Sequence, residues 1–213
     1  MNATSVSAEL SNPHDSTPDV SMTASVHQRI LRFWFGNDVY GAFPVEKVQF
    51  WHADDSDSHW LVEHSEQLGY IEENFLFLVK SACNGGLRDW REEPDTCLAL
   101  ILVLDQFAKR LLHGKEFEQR CRDEALQLCR YGIQQRLDAR LTPVERCFFY
   151  GPLLYAEKIS LRAVGLQLLQ NLLEQVNYPD NPFYHHRSHV MLALYRAIAH
   201  KAHAEKRLLS SIA

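Results

Sequence analysis

Turn-forming residues are scarce in this chain: nine glycines and eight prolines among 213 residues. An all-β protein closed by many tight turns needs more of both, and no stretch of useful length alternates apolar and polar residues as a strand does. Positive charge is not in excess either. The formal net charge is -5, which argues against a nucleic-acid binder, since that needs a basic face. Long apolar runs are missing as well. The longest, Leu-Ala-Leu-Ile-Leu-Val-Leu at 98–104, falls well short of the ~20 residues of a membrane span. Residues 1–24 have no apolar block and are rich in Ser, Thr, Asn, Asp and Pro, which reads as a disordered tail and not a signal peptide.

Two kinds of motif are absent too. No Cys-x-x-Cys pair occurs among the five cysteines, Cys83, Cys97, Cys121, Cys129 and Cys147. Odd in number and without neighbouring zinc ligands, they are expected to be reduced and mostly buried, in a cytoplasmic protein. Nucleophile-elbow, phosphate-loop and dinucleotide motifs are also lacking, which makes serine catalysis and nucleotide hydrolysis poor readings. No cofactor is expected.

What the chain does contain is helical periodicity. Hydrophobic residues make up 46% and charged residues 23%, ordinary values for a globular chain able to bury its own core. Ser25 caps a segment stopped by Gly36, with Val26, Ile30, Phe33 and Trp34 on one face. A short piece around 45–51 follows. After the acidic break 54–58, a long pattern runs to Cys83 and ends at Asn84-Gly85-Gly86. Leu87 and Trp90 form a plug before a helix opened by Pro94 and Asp95 and closed by Gly114. A further helix spans 116–137. Thr142-Pro143-Val144-Glu145 combines an N-cap, a proline at the first helical position and a capping-box glutamate. Pro152 should kink or divide the helix it opens. Two more helices are expected at 160–176 and about 183–209. The fold class is all-α, a single domain over 25–213, with antiparallel helix pairs in a tetratricopeptide-like solenoid or a bundle.

The chain is organised around the helix whose apolar run ends on Asp105. A helix apolar all round belongs in the middle of a core, so its charged end must meet a cleft or another helix. Asp105 can pair with Lys109, and Gln106 with Arg110, at four-residue spacing. The plain reading is an ion-pair network that fixes how the helix docks; the sharper one is a carboxylate lining a polar pocket. Glu157, near Tyr155, is the second candidate. It is either a surface partner of Lys158 or Arg162, or a second carboxylate flanking the same cleft, suited to acid-base work. Histidines near the C-terminus are the third candidate. His185 and His189 are four apart, and His200 follows about three turns on. No Cys or carboxylate ligand accompanies them, so no metal site is assigned, and these three are only weak candidates.

Ile30-Leu-Arg-Phe-Trp-Phe-Gly36, Gly86-Leu-Arg-Asp-Trp90, Leu98 to Phe107 and Glu145-Arg-Cys-Phe-Phe-Tyr150 together resemble the bacterial domain-of-unknown-function family numbered 924. The resemblance covers roughly 26–176, and Leu104-Asp105-Gln106-Phe107 is its most specific part. It implies a tetratricopeptide-like helical domain with a polar cleft and no assigned reaction. Where members of that family continue with Pro-Arg-Asn, Ala108, Lys109 and Arg110 stand here. Their His-Ser-Glu is Tyr155-Ala156-Glu157, and their Phe-Gly-Arg-Phe-Pro-His-Arg-Asn loop is matched by 195–202. Asp105, Gln106 and Glu157 fit the pattern, and their partners are changed.

Two functions are compatible with these residues. The first is a protein- or peptide-interaction module of helical repeats. The alternative is a small-molecule enzyme, hydrolase-like, with a polar cleft around Asp105 and Glu157 that draws on Gln106, Lys109, Arg110 or Tyr155. A protein or peptide partner is possible; no nucleic acid and no membrane is expected, and the oligomeric state is open.

Overall fold

In the computed structural model the described residues are 25–36, 51, 64–111 and 115–176. The tail 1–24, most of the 45–51 piece, the break 54–58, Gly114 and the helix expected at 183–209, with His185, His189 and His200, lie outside them. Seven helices and no strand occur among the described residues. They are α1 (Val26–Phe35), α2 (Ser65–Cys83), α3 (94–111), α4 (Lys115–Gln134), α5 (Pro143–Phe149), α6 (Gly151–Leu154) and α7 (Ile159–Val176).

Local signals set the helix ends. The Ser25 backbone N–H donates to Gln28 Oε1 at 3.1 Å, and at the far end the Gly36 N–H donates to the Arg32 carbonyl at 2.8 Å. The buried face of α1 is Ile30, Trp34 and Phe35, while Val26 points outward. The apolar stripe is thus rotated toward Phe35 relative to the face expected from 26, 30, 33 and 34. Helix α2 stops where Gly85, at φ 80°, turns the chain into a left-handed conformation that L side chains disfavour. At Thr142 the capping box forms. The Thr142 N–H donates to Glu145 Oε2 at 2.7 Å, and the Glu145 N–H donates back to Thr142 Oγ1 at 3.4 Å. Pro152 then divides the following segment into α5 and α6, because it has no N–H to give the Phe148 carbonyl.

Helix α3 is the centre. Its first part, Pro94–Ile101, packs against α1, α4 and α5, and the rest packs against α2 and α4. Every residue from Cys97 to Leu104 is buried, as a helix apolar on all sides requires. Aromatic rings fill the space beside it. Phe107 stacks on Phe75 with centroids 5.3 Å apart, and Trp34 meets Phe148 edge-on at 5.5 Å. The Trp51 indole N–H donates to the Trp34 carbonyl at 3.2 Å, giving a buried polar group its partner.

Helix α3 is not regular throughout. Leu102–Phe107 is π-helical, and the Ala108 N–H donates to the Val103 carbonyl five residues back. The wider turn accommodates one extra residue, and such turns recur at functional sites. Asp105 lies within it.

The cysteine expectation requires correction. Cys83 and Cys121 form a disulfide between α2 and α4, with Cα atoms 5.2 Å apart. Both belong to the core, and packing α2 against α4 brings together residues 38 apart in sequence, a proximity that no local spacing reveals. Cys97, Cys129 and Cys147 form no disulfide and are buried, as expected. Burial pushes the Cys97 and Cys147 thiols up to about 12. Among the described residues no helix is long and apolar enough to cross a membrane.

Candidate functional site

The π-helical turn places the Asp105 side chain, 7% exposed, at the floor of a cavity of about 60 Å³. Three elements form the walls. The π segment gives Asp105; α4 gives Gln119, Arg122, Asp123 and Leu126; the end of α6 and the turn after it give Pro152, Tyr155, Ala156 and Glu157. Asp105 and Glu157 therefore line one cavity, together with Tyr155. Glu157 and Tyr155 are exposed at its mouth, while Asp105 is enclosed.

What holds Asp105 is a chain of contacts along α3. Gln106 Nε2 donates to Asp105 Oδ2 at 2.6 Å. One helical turn on, Arg110 Nη1 donates to the Gln106 carbonyl at 2.8 Å and to Gln106 Oε1 at 3.0 Å. The Arg110 guanidinium also lies 5.3 Å from the centre of the Trp34 ring, within cation–π range. Gly151 closes the other side: a Cβ there would stand 3.4 Å from Asp105 Oδ2. Gln106, Lys109 and Arg110 do not line the cavity; Gln106 and Arg110 stand behind its floor. The four-residue pairing of Gln106 with Arg110 is present. The pairing of Asp105 with Lys109 is not, since among the described residues Asp105 has no ion pair within 4.0 Å. That spacing rule presumes α-helical turns, and the π turn sets the following side chains out of register.

Burial dominates the electrostatics. It raises the Asp105 carboxyl above the ordinary carboxylate range, against the Gln106 hydrogen bond and the fields of Lys109, Arg110 and Arg122. A carboxyl with that balance holds a proton more readily than an exposed one, which suits it to give or take a proton. On the α4 wall, Arg122 Nη2 is paired with Glu118 Oε1 at 2.7 Å, and Gln119 Nε2 donates to Asp123 Oδ1 at 3.1 Å. Among the described residues no three His, Cys, Asp or Glu side chains are placed to hold one metal ion. Glu157 has no ion pair with Lys158 or Arg162; Arg162 instead donates to the Ala156 carbonyl at 3.1 Å, tying down the turn that carries Tyr155 and Glu157.

The α4 wall was not anticipated from sequence. Its signal is present nonetheless: Gln119, Arg122, Asp123 and Leu126 fall at i, i+3, i+4 and i+7, one helix face. Three of the four are polar, so the stripe reads as a solvated surface unless the opposing carboxylate is known.

Comparison with known proteins adds a family and a fold. The model of the family described as "Bacterial protein of unknown function (DUF924)" matches residues 30–206. A solved structure of a protein of unknown function from Agrobacterium tumefaciens is similar, with a TM-score of 0.51 and 22% identity. The match covers 78% of this chain and 80% of that one. At that identity the likeness concerns the fold alone. No curated protein matches the sequence.

Proposed function

The chain belongs to the bacterial DUF924 family, and from that footing we propose that the Asp105 cavity is a small-molecule pocket in which Asp105 exchanges a proton with what is bound. One observation carries the reading: a carboxyl enclosed by the protein, with its proton affinity raised by burial, forms the floor of a polar cavity on a π-helical turn. The chemistry it supports is hydrolytic. Asp105 donates a proton to the leaving atom while Glu157, at the mouth, takes one from the attacking water. The bond to the leaving atom breaks and one to the water oxygen forms. Tyr155 and the α4 wall position the molecule.

The experiment is a thermal-shift screen of small polar molecules against the wild type and against Leu126→Trp, a variant that fills the cavity. A true ligand at about 100 times its Kd stabilises the wild type by about 2.7 kcal/mol and leaves the filled variant unaffected. A screen with no hit lost in Leu126→Trp would sink the proposal.

A second reading, a protein- or peptide-interaction module, is supported by Phe77, which points outward from α2 with 86% of its surface exposed. Tyr70, two turns earlier on that face, is also exposed. Its test is a stoichiometric partner retained by the wild type and lost with Phe77→Ser; retention by both removes α2 from the reading. A tetratricopeptide-like description of the fold and a cytoplasmic location belong to the same set of proposals. The buried thiols of Cys97, Cys129 and Cys147 support that location, whereas the Cys83–Cys121 bridge weighs against it.

A further inference from the structure

We infer that the molecule taken by the Asp105 cavity presents a small organic cation, an alkylammonium or guanidinium head, to Asp105 and Asp123 beside Tyr155. The inference rests on the reading of the cavity as a ligand pocket and names the chemical class of its occupant, the head being held by Asp105 in the ionised form it has after giving up its proton.

Charge is the first argument. The wall carries three carboxylates, Asp105, Asp123 and Glu157, and one cation, Arg122. Among the described residues none of the three carboxylates has an ion pair within 4.0 Å, whereas Arg122 is already paired with Glu118 outside the wall. An anion entering here would face three carboxylates and a guanidinium engaged elsewhere. A cation would face three carboxylates that make no ion pair within 4.0 Å among the described residues.

The second argument is independent of that count and concerns one atom of an otherwise enclosed side chain. Asp105 Oδ2 receives the Gln106 amide, but Asp105 Oδ1 has no hydrogen-bond partner among the described residues, although the side chain is only 7% exposed. That oxygen is not one of the fully enclosed atoms left without a partner among the described residues; it is an acceptor open to whatever enters the cavity. Lys109 and Arg110, on the same helix, act on this carboxyl through their fields and do not enter the cavity, and Arg122 acts from α4. These three do not offset its burial. An ammonium brings three N–H donors and a guanidinium five, so either can satisfy Oδ1 and reach Asp123 as well.

Size and the mouth agree. A cavity of about 60 Å³ holds a few water-sized groups, enough for the head of such a molecule and not for its body, which must extend past the mouth. Tyr155, 44% exposed, belongs to the lining, and aromatic side chains attract organic cations. A metal ion is a poorer fit, because the described carboxylates do not converge as a coordinating group.

The test is an NMR titration of the full chain with methylammonium chloride and guanidinium chloride at millimolar concentration. Sodium chloride at matched ionic strength, sodium acetate and acetamide are the comparison probes. Saturable shifts of the Asp105, Gly151 and Tyr155 amides are expected with the two organic cations alone. Asp105→Asn should weaken that binding about tenfold or more, the scale of one hydrogen bond to a charged group. Asp123→Asn, at an exposed position where folding is not at stake, should weaken it several-fold. Saturation by acetate or acetamide and not by the cations would overturn the cationic head while leaving a pocket. Equal cation binding by wild type and both variants would overturn the seat. No saturable shift from any probe would overturn this inference and, with the failure of the library screen, the pocket itself.

Discussion

Gln106 donates to Asp105 through a 2.6 Å hydrogen bond between adjacent side chains on a π-helical turn. Adjacent residues on an α-helix point about 100° apart and do not normally meet. Here the wider turn lets them, and Arg110, reaching back from one turn on, holds the same glutamine in place. The carboxyl at the cavity floor is therefore oriented by its own helix, while α4 and the α6 turn supply the walls.

Replacing Asp105 with Asn should stabilise the protein at neutral pH. Because burial raises the folded carboxyl above its unfolded value, the folded state binds the proton more tightly. Stability is then highest below the ordinary carboxylate range and falls as pH rises through the window up to the raised value. An amide never ionises and avoids that loss. Urea denaturation at pH 3 and pH 7 should show near-equal stabilities at the lower pH. At the higher pH the variant should gain about 0.5–2 kcal/mol, the usual scale when a functional group is held at a cost. A loss of about 3–5 kcal/mol at pH 7 would instead identify a buried ion-pair member serving the fold.

Reducing the Cys83–Cys121 bridge should lower stability without changing the fold. The bridge closes a loop spanning 38 residues, and the chain-entropy model assigns such a loop about 4 kcal/mol, with measured values ranging from 0 to about 5. Denaturation of the wild type with and without dithiothreitol, compared with a Cys83→Ala, Cys121→Ala double variant, isolates the effect. If the reduced wild type and the double variant both match the oxidised protein, the bridge contributes nothing.

Thr142→Ala should cost about 1 kcal/mol, within the 0.5–2 range for lost N-caps. The box satisfies the amides of both Thr142 and Glu145, and α5 behind it delivers Phe148 and Phe149 to the core. Thr142→Ser should recover most of the loss in thermal denaturation, since it keeps the accepting hydroxyl.

These outcomes bear on what sequence reasoning can reach. Several helices were legible because short-range signals announce their ends: Ser25 and Gly36, Gly85, Pro94, Thr142 and the division at Pro152. Leu98 to Leu104 identified the central helix for the same reason. The meeting of Asp105 with Glu157 was conceivable from sequence only as a possibility, because it depends on how α3 and the α6 turn pack. Gln119, Arg122 and Asp123 were hidden among polar residues that look solvated until the opposing wall is known. The π turn left no readable mark: Leu-Val-Leu-Asp-Gln-Phe has the composition of an ordinary helix, and the extra residue shows only in the Ala108 to Val103 hydrogen bond. The Cys83–Cys121 pair was invisible for a similar reason, being made by the contact of α2 with α4.

Gln106→Leu tests the support of the carboxyl more sharply than any change to the carboxyl itself. Leucine nearly matches glutamine in volume but donates nothing, so Asp105 loses its hydrogen bond and Arg110 loses the Oε1 acceptor. That bond favours the ionised form, so its removal should raise the Asp105 carboxyl further and widen the pH window over which stability falls. The expected loss at pH 7 is about 1–3 kcal/mol, the cost of leaving a buried polar group unsatisfied. Part of that loss comes from Arg110 alone, and a double-mutant cycle with Asp105→Asn separates the two contributions. A coupling of about 0.5–3 kcal/mol is expected for residues in direct contact, and it should diminish at pH 3, where Asp105 is protonated in either background. A coupling near zero at both pH values would mean that Gln106 serves Arg110 and the Trp34 ring, and that the 2.6 Å contact with Asp105 does not set the state of the carboxyl.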